Sequence, residues 1–109
     1  MEYQTSKHSK YLLLYHIVLV TKYRHPILIK LGELTKSLIK DLESKYSFNI
    51  EVMEVDIDHI HLLIRTSPDI NLKYLVIQIK KEVTYKTYRI SKDVTKYLRK
   101  YYWHRNSIS

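Results

Sequence analysis

The apolar residues of this 109-residue chain switch three times between the spacing of a strand and the spacing of a helix, which restricts the folds open to it. Runs rich in β-branched and aromatic residues indicate strands, whereas apolar residues that recur every three or four positions indicate a helix with one buried face. The predicted elements, in order, are a long central strand at 11–23, a helix at 31–46, an antiparallel hairpin of strands at 48–56 and 59–66, and a helix at 72–90.

Two shorter elements are predicted after this helix. Ser91 is expected to cap a short helix through Leu98, and the residues from Tyr101 to the end are expected to form a last strand. The order β-α-β-β-α-β is that of the ferredoxin-like split βαβ unit, which is also RRM-like, with an antiparallel sheet and its helices on one face. We therefore predict an α+β fold and a single domain over residues 1–109.

The composition excludes several classes of protein. The chain has one glycine, Gly32, whereas phosphate-binding and dinucleotide-binding loops need more than one. It has no cysteine, which excludes disulfides, thiolate zinc sites and a cysteine nucleophile. The apolar run at 11–20 is too short for a membrane span, which needs about twenty residues. We expect no membrane partner and a cytoplasmic location.

The net charge of +8 is confined to the last part of the chain. Residues 1–70 carry nine basic and nine acidic side chains, but residues 71–109 carry ten basic ones against Glu82 and Asp93 alone. Tyrosines and Trp103 are interleaved with these cations, as in proteins that bind single-stranded nucleic acid. The alternative is a solvated basic helix whose tyrosines pack on the sheet.

The sequence DHIHLLI holds a pair of histidines, His59 and His61, in a predicted strand. Residues two apart on a strand share a face and lie about 6.5–7 Å apart, so both imidazoles can reach one divalent ion, and the pair supplies half of a metal site. The alternative is that both are polar residues on a solvated face. His16 in strand one can approach the same site, although a sheet histidine with its own hydrogen bond is the preferred interpretation.

Three stretches together resemble a known family. They are YHIVLVTKYRHPIL at 15–28, VDIDHIHLLI at 55–64, and a lysine-bearing helix after a proline loop. In this combination they resemble the single-tyrosine HUH transposases of the smallest prokaryotic insertion sequences, the TnpA family. The resemblance implies an enzyme that cuts and rejoins single-stranded DNA at insertion-sequence ends, where it recognises hairpins. It also implies a 5′ phosphotyrosine intermediate, a covalent strategy that allows rejoining.

The resemblance assigns roles to particular residues of this chain. His59 and His61 would bind Mg²⁺ or Mn²⁺, which polarises the scissile phosphate. Lys22 and Arg24 would lie near the DNA, as would Lys80 or Lys81 in the second long helix. Family members are homodimers with sites assembled across two subunits. Strand one is the expected dimer contact, because a long apolar strand near a sheet edge can pair with its own copy.

One family element has no counterpart at the expected position. The nucleophile of the family lies in a C-terminal helix with the pattern Tyr-x-x-x-Gln, whose glutamine is the third metal ligand. This chain ends at Ser109, so we expect the domain to be C-terminally truncated relative to the family. Tyr74 and Gln78 match the pattern, and their spacing puts them on one helical face. They precede the expected position, so Tyr74 is interpreted as a surface or packing residue.

Two functions remain open from the sequence. The first is a DNA transposase, whose catalytic helix has no counterpart at the expected position and whose activity depends on that helix. The second is a non-catalytic remnant that binds single-stranded or hairpin DNA and modulates a full-length relative. An RRM-type RNA-binding domain is disfavoured, since the glycine-aromatic signature of its central strands is missing.

Overall fold

A computed structural model of the chain describes residues 12–90 together with Tyr102 and Trp103. The elements are β1 (Leu13–Val20), a 3-10 turn (Lys22–Arg24), α1 (Leu28–Asp41), a single helical turn α2 (Glu43–Tyr46), β2 (Phe48–Val55), β3 (His59–Thr66) and α3 (Leu72–Ile90). The predicted α+β class and the antiparallel sheet with helices packed on it are therefore confirmed.

The three described strands form one antiparallel sheet in the order β1-β3-β2. The hairpin prediction is confirmed, but the prediction that strand one is central is wrong for the described sheet. β3 is central because it pairs along its whole length with β1 and almost as fully with β2. β1 lies at an edge of the sheet that the described residues form.

The two faces of the sheet differ in what covers them. Along β3, Ile60, Leu62 and Ile64 are fully buried on one face, where α1 and α3 pack. The residues between them point to the opposite face, because successive side chains of a strand alternate. The core cluster joins this covered face to Leu75, Val76, Ile79 and Val83 of α3. The histidines of β3 therefore lie on this opposite face, which none of the described helices covers and which we call the open face.

Two predicted boundaries are wrong, for local reasons. The helix predicted over 31–46 begins at Leu28 and ends at Asp41, and a separate turn follows before Ser47 adopts a left-handed conformation with φ of 56°. Strand one ends at Val20 rather than at residue 23, because Tyr23 and Arg24 also have positive φ, which no strand accommodates.

Other boundaries are confirmed. The strand at 59–66 and the helix at 72–90 have the predicted bounds. The side chain of Asn71 accepts a hydrogen bond from the backbone N–H of Tyr74 at 3.0 Å, as an N-cap does. The predicted helix from Ser91 to Leu98 lies outside the described residues. So does the last strand, apart from Tyr102 and Trp103, which are not in a strand.

Tyr102 attaches the described C-terminal residues to both long helices. Its hydroxyl is hydrogen-bonded to Thr35 of α1 at 2.6 Å and to Thr87 of α3 at 3.1 Å. Burial raises the pKa of this hydroxyl. The Tyr102 ring stacks on Trp103 with 4.7 Å between ring centroids. The indole is thereby held beside α3.

None of the helices that the structure describes is long and apolar enough to cross a bilayer.

Candidate metal centre and nucleic-acid interface

The two histidines of β3 lie together on the open face of the sheet. Their alternation with buried Ile60 and Leu62 fixes this placement, since a shift of one residue would bury the imidazoles and expose the core. The ring centroids of His59 and His61 are 4.8 Å apart and the rings are nearly perpendicular. The shared face predicted from the sequence is therefore what the structure shows.

A carboxylate orients His59. The Nδ1 atom of this ring lies 2.8 Å from Oδ1 of Asp58, and both side chains are largely buried. The hydrogen bond from His59 and the charge of Arg24 together lower the pKa of Asp58. A carboxylate that accepts from Nδ1 leaves the Nε2 lone pair for a metal, as in many metal-binding histidines. The role of Asp58 was not predicted, although the residue stands in the quoted DHIHLLI motif.

A second histidine orients His61. The Nε2 atom of His16 lies 3.2 Å from Nδ1 of His61, and the two rings are inclined by only 15°. His16 is exposed and stands on the open face of β1, where Val18 is the direct register partner of His61. The sequence interpretation of His16 as a hydrogen-bonded sheet histidine fits this contact. The alternative, that His16 approaches the site of the pair, also fits, because its partner is His61.

The histidine pair offers a divalent ion two imidazole nitrogens. Among the described residues, no group of three His, Cys, Asp or Glu side chains could hold one ion. The two histidines would fill two positions of a divalent ion, and water and phosphate oxygens would fill the others. A depression of about 390 Å³ beside His61 and His16 leaves room for these groups. His59 and His61 are the residues that would hold the ion.

The lysines predicted to lie near DNA converge on a different surface. Lys22, Lys80 and Lys81 line a groove of about 760 Å³ beside α3. The rest of the lining consists of Glu82, Thr84, Tyr85, Tyr88, Tyr102 and Trp103. This groove (the α3 groove) lies on the helix-bearing side of the sheet. Arg24, also predicted to lie near DNA, is not in its lining and instead contacts Asp58.

The electrostatics of the α3 groove favour an anion. Burial lowers the pKa of Lys80, which indicates an amine partly withdrawn from water. Glu82, an acid in the lining, is hydrogen-bonded by Tyr46 and paired with Lys45 at 2.7 Å, and its pKa is lowered by these contacts. Lys45 and Tyr46 thus offset the negative charge of the Glu82 carboxylate. Lysines beside exposed aromatic rings are the combination that holds phosphates and stacks bases.

Part of the α3 groove could be predicted from the sequence. Lys81, Tyr85 and Tyr88 follow at helical spacing, which predicts that they share a face of α3. The approach of Lys22 and Trp103 to this face depends on tertiary packing, and no local signal predicts it.

Tyr74 and Gln78 are not brought to the histidine pair. Both lie on α3, which packs on the covered face of the sheet, whereas the two imidazoles are on the open face. The Tyr74 side chain is 55% exposed, in agreement with its interpretation as a surface residue.

The sequence of the chain matches a known family of transposases. The family described as "Transposase IS200 like" matches residues 9–107, which is nearly the whole chain. The chain belongs to this family, and the resemblance inferred from the sequence is confirmed.

Two relatives illustrate the match. The ISDra2 transposase TnpA of Deinococcus radiodurans is 30% identical over 69 residues, which cover 62% of this chain and 49% of that protein. The matched stretch thus spans about half the length of this curated relative. The fold is also similar to a crystal structure of a Deinococcus radiodurans protein assigned as a transposase, with a TM-score of 0.79 at 22% identity. That alignment covers 88% of this chain and 75% of the other.

Proposed function

We propose that this chain binds single-stranded DNA with hairpins at insertion-sequence ends and cuts and rejoins it with the help of a divalent ion. The observation that carries the proposal is the pair of imidazoles on the open face, each with its Nδ1 atom hydrogen-bonded. This arrangement presents the Nε2 atoms of His59 and His61 for one ion. Family membership supports the transposase chemistry, and the α3 groove supports the nucleic-acid partner.

The proposed division of labour follows from the contacts. Mg²⁺ or Mn²⁺ at the pair would stabilise negative charge on the non-bridging oxygens of the scissile phosphate. Asp58 and His16 hold the two rings in the orientation that binds it. Lysines and aromatic rings of the α3 groove hold flanking DNA. A tyrosine hydroxyl attacks phosphorus, the bond to the 3′ oxygen breaks, and a 5′ phosphotyrosine conserves the phosphodiester for rejoining.

We further propose that the active form is a homodimer joined through β1. Leu13 and Leu14 of this strand are 41% and 49% exposed, and β1 is an edge strand of the described sheet. An exposed apolar edge strand is a surface on which a second copy can pair. Light scattering at micromolar concentration tests this point, and a monomer would contradict it.

A covalent-adduct assay tests the proposed reaction. The protein is incubated with Mn²⁺ and single-stranded hairpin oligonucleotides from the ends of its own element, and DNA adducts that survive boiling in detergent are detected. We expect an adduct with the wild type and none with His59→Ala. An adduct undiminished in His59→Ala would contradict a role for the pair.

The same assay locates the nucleophile. Tyr74→Phe is expected to form the adduct, because Tyr74 is on the face of the sheet opposite the pair. Tyr85→Phe is a comparison variant on the same helix, since Tyr85 is similarly exposed, at 59%, and the substitution keeps the aromatic ring that lines the α3 groove. Loss of the adduct in Tyr74→Phe alone would place the nucleophile on α3.

A DNA-binding protein without strand cleavage is the second candidate function. The observation that favours it is that the α3 groove shares no residue with the histidine pair and lies on the opposite side of the sheet. Salt-sensitive binding of the hairpin without any adduct would support this function over the first.

A further inference from the structure

The turn that follows β1 has a strained backbone. Tyr23 and Arg24 have φ of 56° and 51°, in the left-handed region that side chains other than glycine rarely occupy. Two such residues in succession require compensating contacts, and these contacts indicate what the turn positions.

Thr21 ties this turn to the corner between β2 and β3. Its side chain is fully buried, and its backbone N–H donates to the carbonyl of Asp58 at 3.0 Å. The Thr21 hydroxyl lies 2.8 Å from the carbonyl of His25 and 3.1 Å from that of Asp58. The turn and the residue that precedes His59 therefore form one hydrogen-bonded unit.

The consequence of this arrangement is a fixed position for the Arg24 guanidinium. Its Nε and one Nη atom lie 3.1 and 3.3 Å from the two carboxylate oxygens of Asp58. The Arg24 side chain is 64% exposed, so the carboxylate, rather than burial, holds it in place. The Asp58 carboxylate also accepts from Nδ1 of His59 at 2.8 Å. Arg24, Asp58 and His59 thus form a continuous chain.

We infer that Arg24 is a positioning residue for the metal pair, acting through Asp58, and not primarily a DNA contact. The inference rests on the proposed function, in which His59 binds the ion. A guanidinium that engages both oxygens fixes the rotation of the carboxylate, and the carboxylate then fixes the His59 ring with Nδ1 protonated and Nε2 available. Lysine lacks this planar fork and cannot fix the carboxylate in the same way.

The neighbouring cation of the same turn has a different place. Lys22 lines the α3 groove, and Arg24 does not. One short turn therefore supplies a cation to each surface, and the two cations can be removed separately.

Manganese affinity, measured by electron paramagnetic resonance of free Mn²⁺, tests the inference. Arg24→Gln is expected to weaken Mn²⁺ binding about 10- to 100-fold, the usual effect of losing support for a metal-binding histidine. Arg24→Lys is expected to restore only part of the loss. Lys22→Gln is one control. Arg65→Gln is the other, since it removes an exposed arginine paired with Glu51 at 3.3 Å, and both controls should leave Mn²⁺ affinity unchanged.

A second readout does not depend on metal or activity. The nitrogen chemical shifts of His59 in the metal-free protein report which ring nitrogen carries the proton. We expect a single form with the proton on Nδ1 in the wild type and a mixture in Arg24→Gln. Asp58→Asn keeps the shape of the side chain and should reproduce the mixture, which guards against a variant that merely perturbs the turn.

The outcomes separate the inference from the function on which it rests. If Arg24→Gln binds Mn²⁺ as the wild type does while His59→Ala does not, the positioning role is overturned and the metal site stands. If His59→Ala binds Mn²⁺ as well as the wild type, the proposed metal site itself fails. If Arg24→Gln instead lowers the salt dependence of DNA binding as Lys22→Gln does, Arg24 is a DNA contact.

Discussion

The open face of the sheet and the α3 groove are built in opposite ways. The histidine pair comes from one strand, and its geometry follows from the alternation of a single eight-residue segment. The groove combines a turn near residue 22, the second half of α3 and Trp103, which only tertiary packing brings together. The shared face of the pair is therefore set within one strand, whereas a groove built from three segments depends on how they are packed.

The two surfaces also differ in their electrostatics. On the open face, Asp58 is hydrogen-bonded to His59 and His16 to His61, which would leave one ring nitrogen of each β3 histidine for the proposed ion. In the groove, cations and aromatic rings present charge and stacking surface. The first suits a reaction centre and the second suits a partner of variable sequence. The following experiments test whether the two are as independent as this comparison implies.

The largest expected effect is on metal binding by the open face. His61→Ala removes one of the two proposed protein ligands, and we expect a loss of Mn²⁺ affinity of at least about 100-fold, larger than the loss of a supporting contact. His16→Ala removes only the hydrogen bond to His61 and should cost about 10-fold. Leu63→Ala, on the same face, is the control. Isothermal titration measures the affinities, and an equal loss in His16→Ala and Leu63→Ala would contradict the role of His16.

An intermediate effect is expected where packing supports the groove. Tyr102→Phe leaves the buried hydroxyls of Thr35 and Thr87 without their shared partner, and should lower the free energy of unfolding by about 1–3 kcal/mol in urea denaturation. Tyr74→Phe, an exposed tyrosine, should change it by less than about 0.5 kcal/mol. DNA affinity should fall in Tyr102→Phe because the lost hydroxyl anchors the ring on which Trp103 stacks. A matching fall in Mn²⁺ affinity would show that the two surfaces are coupled.

The smallest effect is expected for single charges of the groove. Lys81→Gln should weaken binding of single-stranded DNA by about two- to five-fold, the range for one exposed ionic contact. The slope of log affinity against log salt should become shallower by about 0.7, the value for one phosphate contact with a single strand. Lys73→Gln, on the same helix but outside the groove lining, is the control. An identical loss in both variants would mean that net charge, rather than the groove, holds the DNA.

The parts predicted from the sequence are those with local causes. The bounds of β3 and α3 and the shared face of His59 and His61 follow from periods of two and of about 3.6 residues, which a single segment displays. The predicted end of strand one failed because the left-handed backbone at Tyr23 and Arg24 has no signature in residues of these types. The central place of β3 depends on long-range pairing, which no single segment reveals.

The residues of the candidate site divide in the same way, into those with a local sequence signal and those placed by tertiary contacts. The motif DHIHLLI predicted the pair, but the contacts of Asp58 with Arg24 and of His61 with His16 join residues 34 and 45 positions apart. The resemblance assigned Lys22 and Arg24 alike to the DNA, and neither residue carries a local signal of whether its charge meets a phosphate or a carboxylate. Only the tertiary structure distinguishes Lys22 from Arg24.

The left-handed turn has a consequence for how this sequence tolerates change. Position 24 must satisfy two unrelated requirements, a backbone conformation that β-branched residues resist and a planar cation that only arginine supplies. Glycine or asparagine would ease the first requirement and forfeit the second. If every position of the chain were substituted in turn, position 24 should therefore accept fewer amino acids than many buried positions, although its side chain is exposed.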